Sequence, residues 1–288
     1  MEFAFPENRR TALGVNDSYQ TNRLGPVVMK LLIISDIHGN WVALQAVLRA
    51  ERHVDHILCL GDLVDYGPQP VECVKWAMKN AGNAWLLQGN HDRAVATGED
   101  PRCSLPFQHL ARATQEFCTR ALNRRMRTFL GALEPQSSFR IGSANCVACH
   151  AAPSDPLYRY LRANDTRRLQ VELNIAGKPD FLFLGHTHWP MNRKLNHTRM
   201  VNPGSVGQPK DGHPTAAYAV WQDGEIFLRR AAYDIEEAVN AFGKTPLGTN
   251  DIAALAHALR TGGGLPVQSR LRMASSPSDL GVERHGSQ

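Results

Sequence analysis

Short runs of apolar residues alternate with amphipathic segments in the first third of the chain. The β-branched run 27–34 predicts a buried strand, and the runs 57–60 and 84–87 predict two more. Between them, apolar residues recur at helical spacing after Asn40, a favourable N-cap, and after Pro70, which suits the first turn of a helix. This β-α-β-α-β order predicts a largely parallel sheet with right-handed crossovers.

The rest of the chain predicts more helices and a second group of strands. Segment 107–133 predicts one or two helices, Asp234 is placed to cap another, and Asn250 and Asp251 a further one that runs to about residue 260. The later strands are predicted to be antiparallel and linked by hairpins. They are expected at 145–149, 181–184, 191–195, 198–201, 216–221 and 225–233.

Composition divides the chain into three parts. Residues 1–26 are polar and aperiodic, which predicts an irregular leader, and residues 262–288 begin with three glycines and become rich in Ser, Arg, Gly and Pro, which predicts a flexible tail. One folded domain is therefore expected over 27–261. The 288 residues are 43% hydrophobic and 20% charged, a globular composition that is long enough to bury a substantial core.

Net charge, hydropathy and cysteine content limit the partners and the cellular location that we expect. A net charge of +5 implies neither a nucleic-acid nor a membrane partner. No apolar run approaches the roughly 20 residues of a membrane span, and the N-terminus lacks a secretory pattern, so we expect a cytoplasmic protein. The six cysteines are expected to be reduced. Cys146-x-x-Cys149-His150 fits a haem-attachment signature, but this stretch is interpreted as a strand.

Five polar motifs stand where predicted strands end. They are Asp36-Ile37-His38-Gly39-Asn40, Gly61-Asp62-Leu63-Val64-Asp65-Tyr66-Gly67, Gly89-Asn90-His91-Asp92, His150, and Gly185-His186-Thr187-His188. Each motif alone has an ordinary explanation as a turn or a cap. Because ligand sites in open α/β sheets collect beyond the carboxyl ends of strands, we expect the motifs to converge. Their conjunction in one domain favours a functional site.

The side chains of these motifs indicate a metal site. Asp, Asn and His without a thiolate suit Mn²⁺, Fe²⁺, Ni²⁺ or Zn²⁺. The seven candidate ligands exceed the roughly four to six positions of one such ion, which favours two ions joined by a bridging carboxylate. These ligands are Asp36, His38, Asp62, Asn90, His150, His186 and His188.

The order of the motifs resembles the calcineurin-like metallophosphoesterase superfamily. Segment 202–209, with the sequence Asn-Pro-Gly-Ser-Val-Gly-Gln-Pro, further resembles its small bacterial phosphodiesterase branch, often labelled diadenosine-tetraphosphatase-like. The resemblance spans about 30–259. It implies an α/β fold of four layers, an αββα sandwich in which two mixed β-sheets are flanked by helices.

The resemblance also implies a role for each motif. Asp36, His38 and His188 would hold one metal, while Asn90, His150 and His186 would hold the other and Asp62 would bridge them. A water between two ions roughly 3.5 to 4 Å apart would then be acidic enough to attack phosphorus.

Two further residues match the histidine that donates a proton in this family and the carboxylate that supports it. His91 would protonate the leaving oxygen or stabilise its charge, and Asp65 would hold the imidazolium form. One departure concerns position 66, where phosphoprotein phosphatases and symmetrical diadenosine-tetraphosphate hydrolases carry an arginine that clamps phosphate. Here it is Tyr66. A phosphoprotein substrate is therefore disfavoured.

The sequence thus predicts a hydrolase for small phosphodiesters, with monoesters or nucleotides as further candidates, and Mn²⁺ as the first choice of metal. Two alternatives stay open. A nuclease would use the same metals, but 7% aromatic residues and scattered arginines give little support for a nucleic-acid groove. A protein-interaction scaffold with the same fold would lack chemistry. Whether the chain forms a homo-oligomer is also left open.

Overall fold

The structure is a computed structural model, and it describes residues 29–264. The predicted leader, 1–26, lies outside the described residues, as does the predicted tail beyond its first three residues. The strands are β1 (Lys30–Ile34), β2 (His56–Cys59), β3 (Ala84–Leu86), β4 (Gln136–Ile141), β5 (Ala144–Cys149), β6 (Phe181–Phe183), β7 (Met191–Leu195), β8 (Thr198–Asn202), β9 (Ala216–Gln222) and β10 (Glu225–Ala231).

Helices connect most of these strands. They are α1 (Trp41–Ala50), α2 (Pro70–Asn80), α3 (Asn90–Thr97), α4 (Gln108–Ala121), α5 (Arg124–Gly131), α6 (Thr166–Ile175), α7 (Ile235–Ala241) and α8 (Thr249–Thr261), with short 3₁₀ turns at Leu105–Phe107 and Phe242–Lys244. The predicted caps at Asn40 and Asp234 accept backbone hydrogen bonds at the starts of α1 and α7. In this part of the chain, no helix is both long and apolar enough to cross a membrane.

Within residues 29–264 the strands form two mixed five-stranded sheets. The first has the order β10-β9-β1-β2-β3, in which β1, β2 and β3 are parallel and β9 and β10 run antiparallel. The second has the order β4-β5-β6-β8-β7, in which β5, β6 and β8 are parallel and the two edge strands are antiparallel. Each sheet thus has three parallel strands.

The two sheets pack face to face between layers of helix. Side chains alternate across β1, so that Leu32 and Ile34 face helices α1 and α2, while Leu31 and Ile33 face the second sheet. The other face of the second sheet is covered by α6 through Leu169. This is the predicted four-layer αββα sandwich.

Several elements differ from the sequence prediction. Strands β5, β6 and β8 are parallel rather than antiparallel, because α6 connects β5 to β6 and β7 lies at the sheet edge. Strand β4 and helices α3 and α6 were not predicted. The N-cap of helix α8 is Gly248, two residues before the expected cap at Asn250. All six cysteines are free, and Cys146 and Cys149 lie in β5, as predicted.

The parallel strands place the motifs at one edge of the sandwich. Strand β1 leads to Asp36, β2 to Asp62 and β3 to Asn90, while β5 leads to His150 and β6 to His186. Because both sheets present their carboxyl ends on the same side, five separate stretches of chain converge there.

Candidate metal centre

The backbone at this edge is unusually strained. Of the eleven non-glycine residues with positive φ among residues 29–264, seven belong to the predicted motifs: Asp36, His38, Asp62, Asp65, Tyr66, His186 and His188. A non-glycine residue in this region costs on the order of 1–3 kcal/mol, and such residues persist only where the surroundings hold them in place. The strain is therefore concentrated in the loops that carry the candidate ligands.

Interlocking backbone hydrogen bonds hold these loops. The amide of Asp36 donates to the carbonyl of Gly61 at 3.0 Å, and the amide of His38 donates to that of Asp62 at 2.9 Å. Gly89 fits tightly against the same loop, since a Cβ there would lie 2.0 Å from Asp62 Oδ1. The close approach requires glycine, and it fixes the Asp62 carboxylate relative to the loop after β3.

Asp36, His38 and His188 form a first ligand group, whose candidate ligand atoms all lie within 4.8 Å of one another. The Nε2 atoms of His38 and His188 are 3.2 Å apart, and His188 Nε2 is 3.4 Å from Asp36 Oδ1. The Nδ1 atoms face backbone carbonyls: that of His38 donates to Val64 at 2.9 Å, and that of His188 donates to Gln208 at 2.5 Å. Both rings are thereby oriented with Nε2 toward Asp36.

The protonation of this group indicates a cation. A carbonyl only accepts, so Nδ1 carries the proton in both rings. Burial lowers the pKa of His38 to about 3 and holds the pKa of His188 well below its usual range. Both rings are therefore neutral, and their Nε2 lone pairs face each other. Burial also raises the pKa of Asp36 to about 6, and neither of its oxygens has a hydrogen-bond partner. A divalent cation among these atoms would satisfy all of them.

Asp62, His150 and His186 form a second ligand group, again with candidate ligand atoms within 4.8 Å of one another. His150 Nε2 lies 3.4 Å from Asp62 Oδ2 and 2.9 Å from Asn90 Oδ1, while His186 Nδ1 lies 3.1 Å from the same Asn90 oxygen. The amide nitrogen of Asn90 donates to the Pro101 carbonyl at 2.7 Å, which turns Oδ1 toward the histidines.

The two imidazoles of the second group differ in charge. Burial opposes a charged His150, but the nearby Asp62 carboxylate outweighs it and raises the pKa of His150 to about 9. Its Nδ1 donates to the Leu60 carbonyl at 2.8 Å. Burial and the charge of His150 hold the pKa of His186 well below its usual range. A divalent ion bound here would displace the Nε2 proton of His150, so its affinity would rise with pH.

Asp62 stands between the two groups. Its Oδ2 lies 3.6 Å from His38 Nε2 in the first group and 3.4 Å from His150 Nε2 in the second. This oxygen is buried without a hydrogen-bond partner, whereas Oδ1 accepts from the amide of His91 at 2.9 Å. One carboxylate oxygen directed at both groups is the arrangement that a bridging ligand requires.

His91 and Asp65 form a separate pair beside the ligand groups. His91 Nδ1 lies 2.8 Å from Asp65 Oδ2, and both side chains are buried. Burial disfavours the charged ring, but the Asp62 carboxylate and the hydrogen bond to Asp65 outweigh it and raise the pKa of His91. The structure thus brings all nine predicted site residues to one edge of the sandwich.

Asp92 belongs to the third motif, but the sequence did not indicate its structural role. Its carboxylate accepts hydrogen bonds from the amides of Asp62 and Leu63, both at 2.8 Å, and from that of Gly89 at 3.0 Å. Burial and the charge of Asp62 raise the pKa of Asp92 to about 7. Asp92 therefore connects the loop after β2 to the start of α3 and positions Asp62.

Segment 202–209 buttresses the first ligand group. The amides of Val206 and Gly207 donate to the carbonyls of Ser35 and Asp36, both at 3.0 Å, so these amides are already paired within the protein. The Ser205 hydroxyl also donates to the Asp36 carbonyl, at 2.7 Å. This segment holds the loop after β1 in place.

Tyr66 and Arg93 occupy positions that bear on substrate choice. Tyr66 is buried, and its ring lies 4.9 Å from those of both His38 and His91, so it packs against the site. Arg93 pairs with Glu99 at 2.9 Å on the surface. Neither provides an arginine clamp. A cation that sequence reasoning missed is Lys210, which directly follows segment 202–209 and lines a cavity beside the site.

Comparison with known proteins assigns the chain to a family. A model of the calcineurin-like phosphoesterase superfamily domain matches residues 29–224, about two thirds of the chain, and the protein belongs to this superfamily. The superfamily predicted from the motifs is thereby confirmed.

The chain is also similar to two known proteins over most of its length. Protein MJ0912 of Methanocaldococcus jannaschii is 32% identical over 239 residues, which cover 75% of this chain and 93% of the relative. Phosphodiesterase YfcE of Escherichia coli, from the small bacterial branch, is 26% identical over 199 residues, covering 66% and 85%.

Solved structures show the same fold. A metallophosphoesterase from Sphaerobacter thermophilus has a TM-score of 0.67 and 30% identity, with 82% of this chain and 99% of that chain covered. Protein PH1004 of Pyrococcus horikoshii has a TM-score of 0.71 and 21% identity, with 83% and 100% covered.

Proposed function

We propose that the protein is a dinuclear metal-dependent phosphoesterase that hydrolyses small phosphodiesters, with monoesters and nucleotides as secondary substrates. The observation that carries this proposal is the position of Asp62 Oδ2, which lies within 3.6 Å of an imidazole nitrogen from each ligand group. Membership of the superfamily supports hydrolysis of phosphate esters. The relative YfcE, named a phosphodiesterase, favours diesters.

The two groups fit two divalent ions. Asp36, His38 and His188 would hold one ion, the second group with Asn90 would hold the other, and Asp62 would bridge them. Mn²⁺ is our first choice of ion, and the nitrogen and oxygen donors also suit Fe, Ni or Zn. When bound, such ions lower the pKa of a coordinated water and neutralise charge on phosphoryl oxygens.

His91 and Asp65 would supply the proton. Asp65 fixes the imidazole by accepting from Nδ1, so Nε2 is left free to protonate the oxygen that leaves phosphorus. The raised pKa of His91, caused by the Asp62 carboxylate and the hydrogen bond to Asp65, favours the charged ring that an acid requires. Its backbone amide donates to Asp62 Oδ1, which couples the acid to the bridging carboxylate.

His91→Asn tests this function. We expect the variant to retain two ions by elemental analysis and to lose about 10²- to 10⁴-fold in kcat on bis(p-nitrophenyl) phosphate, since general acid catalysis contributes on that scale. The exposed His257→Asn on α8 is the control. A His91→Asn enzyme with near-native kcat would show that His91 is not the acid.

A substrate screen separates this function from its alternatives. Metal-dependent, salt-insensitive hydrolysis of small diesters without cleavage of single-stranded DNA or RNA would support it, and efficient salt-sensitive cleavage of nucleic acid would favour a nuclease. A silent protein that captures a stable partner would favour a scaffold. The cytoplasmic location and the oligomeric state stay predictions.

A further inference from the structure

A cavity of about 510 Å³ lies beside the candidate metal centre. In its wall, the ring of Tyr160 lies 4.1 Å from that of His186, measured between centroids. Phe107, also in the wall, lies 6.2 Å from Tyr66, whose ring is 4.9 Å from His91. Tyr160 therefore connects the cavity wall with the second ligand group, and Phe107 is separated from the proposed acid by one ring, that of Tyr66.

The wall of this cavity has a distinct chemistry. Phe107, Tyr160 and Trp189 provide three aromatic rings, and Trp189 is 57% exposed, which is unusual for a side chain of its size. Arg162 and Lys210 provide two cations, and among the described residues that line the cavity there is no carboxylate. Aromatic faces with cations and no anions favour a negatively charged ligand that carries a planar ring.

Lys210 lies in the cavity wall and follows closely, in the chain, the segment that supports the first ligand group. Its Nζ lies 4.7 Å above the Phe107 ring, and it forms no ion pair with any carboxylate of residues 29–264. It follows Gln208, whose carbonyl orients His188, by two residues.

We propose that this cavity binds the ring-bearing part of a phosphoester and that Lys210 contacts the phosphate. The preferred substrates are then esters with a nucleobase or an aryl group. Lys210 supplies from another loop the cation that an arginine at the position of Tyr66 would provide. This inference rests on the proposed function, because it concerns the substrate of the same site.

Ligand binding tests the proposal in the slow His91→Asn background, which is expected to keep both ions, so that AMP is not consumed during the titration. The Mn²⁺-loaded protein is titrated with AMP, which carries both a ring and a phosphate. Adenosine, which carries only the ring, and inorganic phosphate, which carries only the charge, are the comparisons. We expect AMP to bind about tenfold or more tightly than either, since each half contributes separately. AMP should quench Trp fluorescence through Trp189, and the quenching should disappear in Trp189→Phe, which retains a ring. Phenyl phosphate in place of AMP distinguishes an aryl group from a nucleobase, and binding of either supports the proposal.

Variants of Lys210 give the decisive comparison. Lys210→Met keeps the length of the side chain and should reduce AMP affinity about tenfold or more, to the level of adenosine, while Lys210→Arg should restore most of it. Lys75→Met, on the exposed side of α2, is the matched control. To test the ring, Trp189→Ala should weaken the binding of AMP but not of inorganic phosphate. Phe227→Ala, at an exposed position of β10, should change neither affinity.

The outcomes separate this inference from the proposed function. Native AMP affinity in Lys210→Met, or adenosine bound as tightly as AMP, would overturn the inference. With bis(p-nitrophenyl) phosphate, Lys210→Met should raise KM more than it lowers kcat. If the wild-type protein hydrolyses no ester yet binds AMP through Lys210, the phosphoesterase proposal fails while the assignment of the cavity stands.

Discussion

The core between the two sheets and the candidate metal centre both consist of buried side chains, yet they are built on opposite principles. Phe183 and Ile33 in the core are fully buried apolar side chains in regular strands. A few residues further along the same strands, Asp36 and His186 are just as buried, but they are polar, strained, and have atoms without partners. The strands stabilise the fold, and this stability holds together a site that would not form alone.

The largest expected effect comes from a substitution that disrupts the candidate metal centre and leaves the core unchanged. Asp62→Asn keeps the oxygen that accepts from the His91 amide but removes the bridging charge. We expect kcat/KM to fall about 10³-fold or more, because charge stabilisation and water activation are both lost. Elemental analysis should show fewer than two ions per chain, with the circular dichroism spectrum unchanged. Asp223→Asn, in the exposed turn after β9, is the control. Two ions and native activity in Asp62→Asn would refute the bridging role.

The converse change weakens the core and spares the site. Phe183→Ala removes a ring that stacks on Phe181 and Phe139 between the sheets. The free energy of unfolding should fall by about 3–5 kcal/mol, as for other buried aromatic truncations. The exposed Phe227→Ala should change it by less than about 1 kcal/mol. Urea denaturation measures both. If folded Phe183→Ala no longer binds metal, the two regions are not separable.

Glu51 is a buried charge outside the site, and it differs from the buried ligands because its hydrogen-bond partners are all present. Glu51 is paired with Lys30 at 2.5 Å and Arg229 at 2.6 Å and accepts from the Tyr218 hydroxyl at 3.0 Å. Burial alone would raise its pKa, but these hydrogen bonds outweigh burial and lower the pKa of Glu51. Glu51→Gln should cost about 1–3 kcal/mol at pH 7.

The pH dependence of this cost has a definite sign. Because the folded pKa of Glu51 lies below the unfolded value of about 4.3, the carboxylate stabilises the fold above that pH. Its contribution is lost as the pH falls through the folded pKa, so wild type and Glu51→Gln should converge in acid. Unfolding free energies at pH 7 and below pH 4 test this against the exposed control Glu72→Gln. A constant difference at every pH would contradict it.

The smallest expected effect concerns the acid pair. Asp65→Asn removes the charge that helps to raise the pKa of His91. The imidazolium form should then be lost at lower pH, and the alkaline limb of the kcat profile should move down by about one pH unit. Asp223→Asn should leave the limb in place. An unshifted limb in Asp65→Asn would assign the ionisation to another group.

The convergence of the candidate ligands could be predicted from the sequence because these residues lie near the ends of predicted strands. Apolar runs end just before Asp36 and Asp62, and parallel strands place their carboxyl ends at the same edge of a sheet. Strand β4 escaped prediction because it lies at an edge, alternates polar residues with few apolar ones, and shows little hydrophobic signal. Helix α6 escaped because only Leu169 and Leu173 carry its apolar stripe, although Asp165 caps it.

Lys210 and the cavity could not be predicted, because they depend on tertiary placement. The wall combines loops around 104–107, 160–164 and 187–191, which lie far apart in the chain and share no spacing. The signal for Lys210 is its position directly after segment 202–209. The role of Asp92 could have been inferred from its acidic side chain in the first turn of a helix, where it accepts backbone hydrogen bonds.

The tight fit of glycine between the loops bears on how this protein can change over evolution. A methyl group at Gly67 would lie 2.1 Å from the His38 carbonyl, and one at Gly89 would meet Asp62. Random mutagenesis should therefore recover almost no replacements there, whereas the cavity wall, including the half-exposed Trp189, can tolerate diversity. Libraries intended to redirect selectivity should keep both glycines and vary the residues of the cavity wall.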